Sequence, residues 1–141
     1  MAGVLKKLGG FLFPPAGVEP ESVQRLDGNS CDPFFGRMQD YTAAGYVKGP
    51  CGDSMEFYLV IKNEQIEKIS YYTDGCDDTR LAGQAVARRA AGRIVMDALS
   101  ISPGEIIRAE SAISAEGRHC VVLAVSTLYQ AIVDYLLHSS A

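Results

Sequence analysis

No apolar run in the 141 residues approaches the ~20 that a bilayer-spanning helix needs, so no membrane helix is expected. A surplus of cationic residues is also missing. Thirteen Lys and Arg stand against 17 Asp and Glu, for a formal charge of −4. Phosphate binding needs Lys and Arg gathered on one face, and the only basic pairs are Lys6-Lys7 and Arg88-Arg89, so a nucleic-acid partner is excluded. A secretion signal is not expected either. Residues 1–13 place two lysines before an apolar patch, but Gly9-Gly10 and Pro14-Pro15 bound a patch too short for a signal h-region. A cytoplasmic chain is expected, and in a reducing compartment its four cysteines more often bind metal or do chemistry than form disulfides. Those cysteines lack the paired C-x-x-C knuckles of a zinc finger, the crowded loop of a ferredoxin and the neighbouring resolving thiol of a thioredoxin-like site. There is no internal repeat and no low-complexity tract.

What is present fits one domain, with 48% hydrophobic and 21% charged residues, the balance of a soluble globular chain. Residues 14–36 hold four of the six prolines with Gly17, Gly28, Asn29 and Gly36, so residues 1–36 are read as a Pro/Gly-rich leader, 37–138 as the folded domain and 139–141 as a tail. Met38–Ala44 is read as a short helix ended by Gly45, with an extended segment starting at Tyr46-Val47. Met55, Phe57, Leu59 and Ile61 alternate with polar neighbours as one strand, Val60 alone being out of phase. A turn at Asn63-Glu64 leads to a second strand through Ile66, Ile69, Tyr71 and Thr73, completing a hairpin. After Gly75 the period becomes helical through Leu81, Ala82, Ala85, Val86 and Ala90, with Asp77 or Asp78 as the cap and Gly92 as the stop. Ser102-Pro103-Gly104-Glu105 is a capping box for a helix that Gly117 breaks off. Val121, Val125, Leu128, Ile132 and Leu136 form one stripe of a terminal helix of about five turns, where His138 suits the negative helix end. The fold class is therefore α+β: a small antiparallel sheet with helices over one face.

The chemistry-bearing residues fall at element boundaries. Cys51 and Asp53 flank Gly52 where the chain begins the first long strand, and Cys76 stands where the second strand gives way to a helix. Because the hairpin folds back, Cys51 and Cys76 are expected to be neighbours. Cys76 and the pair His119-Cys120 lie at helix N-termini, whose dipoles favour thiolate, the form that binds metal. Any one cysteine also suits a small buried hydrophobe. Together the thiols, the carboxylate and the imidazole form a mixed S/N/O set suited to iron, an iron–sulfur cluster or zinc.

The segments GPCGDSMEFYLVI, YTDGC and RHCVVLA, with AIVDYLLH closing the chain, resemble the IscU/NifU N-terminal-domain type of iron–sulfur cluster assembly scaffold, from about Gly45 to His138. The resemblance implies three antiparallel strands with helices on one side, and a scaffold and carrier rather than an enzyme. It implies that Cys51, Asp53, Cys76 and Cys120 hold a transient two-iron two-sulfur cluster, with Asp53 keeping it labile and His119 as an alternative metal ligand. It also implies that Cys120 accepts persulfide sulfur. Iron, or zinc in the apo form, is the implied metal. The implied partners are a cysteine desulfurase, recipient apo iron–sulfur proteins, an iron donor and a second copy of the chain. Where the family carries L-P-P-V-K, the docking site of a dedicated Hsp70 chaperone, this chain has Ile113–Arg118, which argues against that chaperone. Its N-P-x-N-x-G signature is missing, Cys31 has no assigned role, and Asp77-Asp78-Thr79-Arg80 replaces a small Ser/Ala-rich stretch. Two other readings stay open: a zinc-containing, SufU-like sulfur-transfer protein in which Asp53, Cys76 and Cys120 hold zinc, and a purely structural metal site. The insertion typical of the SufU branch is absent.

Overall fold

The computed structural model describes residues 32–139, so Cys31 and most of the segment read as leader lie outside it. Three strands, β1 (Ala43–Lys48), β2 (Ser54–Lys62) and β3 (Gln65–Thr73), form an antiparallel sheet in the order β1-β2-β3. Helices follow: α1 (Asp77–Ala90), a single turn α2 (Val95–Ala98), α3 (Pro103–Ala109), a 3-10 turn at Ala115–Gly117 and the long α4 (Arg118–Ser139). This is the α+β arrangement expected from the alternation of strand and helix periods.

The β2 alternation is realised in full: Met55, Phe57, Leu59 and Ile61 are buried while the residues between them are not. On β3, Ile66 and Ile69 are three residues apart and cannot share a face on a regular strand. A bulge resolves this. Val60 pairs with Lys68 and Ile61 with Ile66, leaving Glu67 unpaired, so both isoleucines reach the core. Asn63 and Glu64 both take positive φ, 54° and 65°, the backbone of a two-residue type I′ turn.

The helix expected over Met38–Ala44 is not formed. Its residues alternate in neither helical nor apolar fashion, and Thr42 and Ala43 are drawn instead into pairing with Leu59. Gly45, expected to end that helix, sits in mid-strand where a Cβ would lie 2.5 Å from the backbone N of Ala131, so β1 can press against α4 only with glycine there. On α4, Val121, Val125, Leu128 and Ile132 are buried as expected, whereas Leu136 is 40% exposed because the helix runs past the sheet. The helix Ala115–His138 contains an 18-residue window of mean hydropathy 1.8, long and apolar enough to cross a bilayer although polar residues interrupt it. Here α4 is the core helix, packed on β1, β2 and α1.

Two ionic clusters fix the periphery. Arg88 and Arg89 of α1 both reach Oε2 of the buried Glu110, at 3.2 and 3.0 Å, tying α1 to the end of α3. On the face of the sheet away from the helices, Arg37 grips Glu56 through Nε and Nη2 at 2.9 and 3.0 Å and lies 4.0 Å over the Tyr72 ring. Arg37 holds the Glu56 carboxyl below the usual range, and Tyr58, partly desolvated and bonded to Glu56, is pushed up to about 12. Residues 32–36 also join the fold, with Phe35 bridging to Tyr71 and Asp32 accepting from the buried Tyr71 hydroxyl at 2.5 Å.

Candidate metal centre

The open end of the hairpin collects the site. Met55 pairs with Thr73, so the residues just before β2 and just after β3 meet: Asp53 comes to rest against Gly75. A Cβ on Gly75 would lie 2.7 Å from Asp53 Oδ2 and 2.9 Å from Thr79 Cβ, so only glycine admits the carboxylate there. Cys76 is the N-cap of α1, and Arg118–Ser139 begins two residues before Cys120 on the neighbouring helix. One ligand atom each from Asp53, Cys76 and Cys120 lie within 4.8 Å of one another. Asp53 is half-buried, Cys76 exposed and Cys120 buried, so the group is anchored inside and open to solvent on one side. Two thiols and a carboxylate at this spacing match the donor set of a single thiophilic ion such as zinc or iron.

His119 is exposed, with Nε2 3.6 Å from Cys120 Sγ, at the edge of the group. Cys51 lies exposed on the turn between β1 and β2, where Gly52 has φ 97°, and stands outside the three-atom group. The hairpin thus returns as expected, and brings Asp53 within 4.8 Å of Cys76.

Thr79 went unremarked as a site residue in the sequence, although a residue three positions after Cys76 on a helix shares its face. It is fully buried at the centre of the group. Its Oγ1 donates to Asp53 Oδ2 at 2.6 Å and lies 3.3 Å from Cys120 Sγ and 3.6 Å from Cys76 Sγ. The expected Asp77 or Asp78 cap does not form, since Cys76 occupies that position with no side-chain cap bond. Asp78 instead accepts from the Ser114 hydroxyl at 2.7 Å, tying the 3-10 turn ahead of Cys120 to the start of α1. Gly117, expected to break α3, belongs to that turn, and α3 ends earlier at Ala109.

The expected activation of Cys120 as a thiolate is opposed by its surroundings. Burial pushes its thiol up, and the neighbouring Cys76, Asp53 and Asp78 push in the same direction, against the Thr79 hydrogen bond. Helix-end activation loses to desolvation and like charge. A cation among these groups would invert that balance.

A three-stranded antiparallel sheet with helices on one side, ending in a thiol and carboxylate cluster, defines a class of small α+β domains with a candidate metal site. The family model of the NifU-like N terminal domain matches residues 34–141, and the chain belongs to that family. It is 33% identical over 101 residues to the iron–sulfur cluster assembly scaffold protein IscU 1 of Archaeoglobus fulgidus, covering 71% of this chain and 66% of that protein. To the IscU scaffold protein of Aquifex aeolicus it is 28% identical over 105 residues, 72% of this chain and 67% of the relative. The chain therefore spans about two thirds of the length of the curated relatives it matches. The crystal structure of a NifU-like N-terminal protein from Brucella abortus shares the fold, with a TM-score of 0.59 at 13% identity over 75% of this chain and 87% of that one.

Proposed function

We propose that this domain is a scaffold on which an iron–sulfur cluster, of the two-iron two-sulfur type, is built and then handed to recipient apo-proteins. The convergence of Asp53, Cys76 and Cys120 within 4.8 Å, at an end of the domain open to solvent, carries the reading. Family membership and the names of its relatives support it. Cys51, two residues from Asp53 on the same exposed turn, supplies the remaining thiolate, and His119 is the reserve ligand. A cysteine desulfurase delivers sulfur as a persulfide in the cytoplasm: the Cys120 thiol gives up its proton to solvent base, the resulting thiolate attacks the outer sulfur, one S–S bond forms as another breaks, and the desulfurase thiolate leaves. Each sulfur then takes two electrons from a thiol reductant to become sulfide, and an iron donor supplies the metal. The hard carboxylate oxygen of Asp53 binds iron less firmly than sulfur does, which leaves a point for exchange.

Anaerobic incubation with ferrous iron, L-cysteine, a cysteine desulfurase and dithiothreitol is expected to generate a visible cluster chromophore that moves to an apo-ferredoxin. Asp53→Ala is expected to lengthen the lifetime of the cluster. A chain that forms no chromophore while holding zinc firmly would overturn the scaffold.

A second reading has an observation of its own. Three ligand atoms arranged for one ion, with Cys51 outside the group, fit a zinc site whose spare thiol accepts sulfur. In that case alkylation of Cys51 alone abolishes persulfide uptake and leaves the zinc in place.

A further inference from the structure

We infer that Thr79 is the positioning residue of the ligand site, acting through Asp53. The inference rests on the reading of Asp53, Cys76 and Cys120 as ligands. A hydroxyl carries one proton, and the 2.6 Å contact assigns it to Asp53 Oδ2. Both sulfurs lie against the same oxygen, at 3.3 and 3.6 Å. One fully buried hydroxyl thus touches all three candidate ligand side chains. Were an ion to take both sulfurs, their contacts with Thr79 would give way, whereas the bond to Asp53 would have no reason to break. Oδ2 stays engaged and Oδ1 is left to face the ion. Gly75 packs against the same carboxylate, where nothing larger fits. Thr79 therefore sets the position of the oxygen ligand without touching the metal.

Groups that orient a metal ligand typically contribute 10–100-fold to metal affinity. The test is anaerobic titration of the full chain with Co2+, read by the sulfur-to-cobalt charge-transfer band and the visible d–d envelope. Thr79→Val, close in shape and equally β-branched, is expected to keep the charge-transfer band, alter the d–d envelope and weaken cobalt binding about tenfold. Thr79→Ser, which retains the hydroxyl, is expected to restore both. Thr79→Ala carries the same expectation as the Val variant should the Val substitution disturb folding. In an Asp53→Ala background, Thr79→Val is expected to have no further effect, because the group it positions is gone. A Val variant with wild-type affinity and d–d envelope would overturn the inference. So would a full tenfold loss repeated in the Asp53→Ala background. A wild-type chain that takes up no cobalt through sulfur overturns the ligand site itself, and the role of Thr79 with it.

Discussion

The β2–β3 hairpin is closed by opposite means at its two ends. At the Asn63-Glu64 turn the closure is mainly backbone, with the Gln65 side chain also donating to the Gly92 carbonyl. Ile66 N–H donates to the Arg93 carbonyl, Gly92 N–H to Ile66 and Val95 N–H to Glu64, and Gln65 bridges to Ile94, so the chain beyond α1 is stitched onto the turn. At the other end the strands finish at Thr73 and Ser54, and what joins the chain beyond them is side chain: a carboxylate, two thiols and a hydroxyl. Backbone pairs are fixed by the fold whatever is bound. Side-chain contacts among metal-ligating groups can be exchanged for an ion. One end is therefore held by backbone pairing, and the other by side chains that a bound ion could replace.

Substitutions at the two ends should separate stability from binding. The largest effect is expected for Ile66→Ala at the closed end: this residue is fully buried, and the cavity should cost about 2–5 kcal/mol in urea unfolding. Zinc affinity of the folded fraction should not change, and a parallel loss of affinity would mean that the two ends are coupled. Next comes Cys76→Ser at the open end. Cys76 is exposed, so stability of the metal-free chain should stay within about 0.5 kcal/mol. Competitive titration with a chromophoric chelator should show zinc affinity falling by more than the 10–100-fold typical of a merely supporting group.

The same contrast governs what could be read from the residues alone. The period of two from Met55 to Ile61 and the helical stripe of α4 were legible because one buried face imposes a regular spacing. The Ser102 capping box was legible because its partners are three residues apart, and both of its bonds are formed. The beginning of β1 was not, since Ala43–Lys48 is a strand only because β2 lies beside it and Gly45 fits under α4. The single turn α2 is too short to carry a period. At the site, Asp53, Cys76 and Cys120 were legible by type, as groups with few other reasons to cluster. Thr79 was not, because a buried threonine is ordinary until a carboxylate from another strand arrives against it. The direction of the Cys120 shift also escaped, because it depends on burial and on anions from two other elements.

A smaller effect is expected back at the closed end. Glu64 at φ 65° occupies a backbone region that costs a non-glycine residue about 1 kcal/mol or more. Glu64→Gly completes an Asn-Gly type I′ turn and should stabilise the domain by about 0.5–1 kcal/mol, offset in part by glycine entropy and the lost 2.8 Å acceptor for Tyr135. Cobalt spectra should be unchanged.

The smallest expected effect alters no residue. Because the Cys120 thiol is pushed up in the folded chain, the folded state holds that proton more tightly than the unfolded one. Its contribution to stability is complete below the ordinary thiol range and is lost as the pH rises through the raised folded value. Thermal midpoints of the metal-free chain should therefore fall with rising pH, and Cys120→Ala should flatten that slope. Tyr58, pushed up to about 12, contributes in the same direction only at higher pH, so the difference between the two chains isolates the thiol. Saturating zinc should reverse the sign, because the ion needs the thiolate and binds better as protons leave. A slope unchanged by Cys120→Ala would show that the open end does not hold its thiol protonated, and would remove the electrostatic half of the contrast between the two ends.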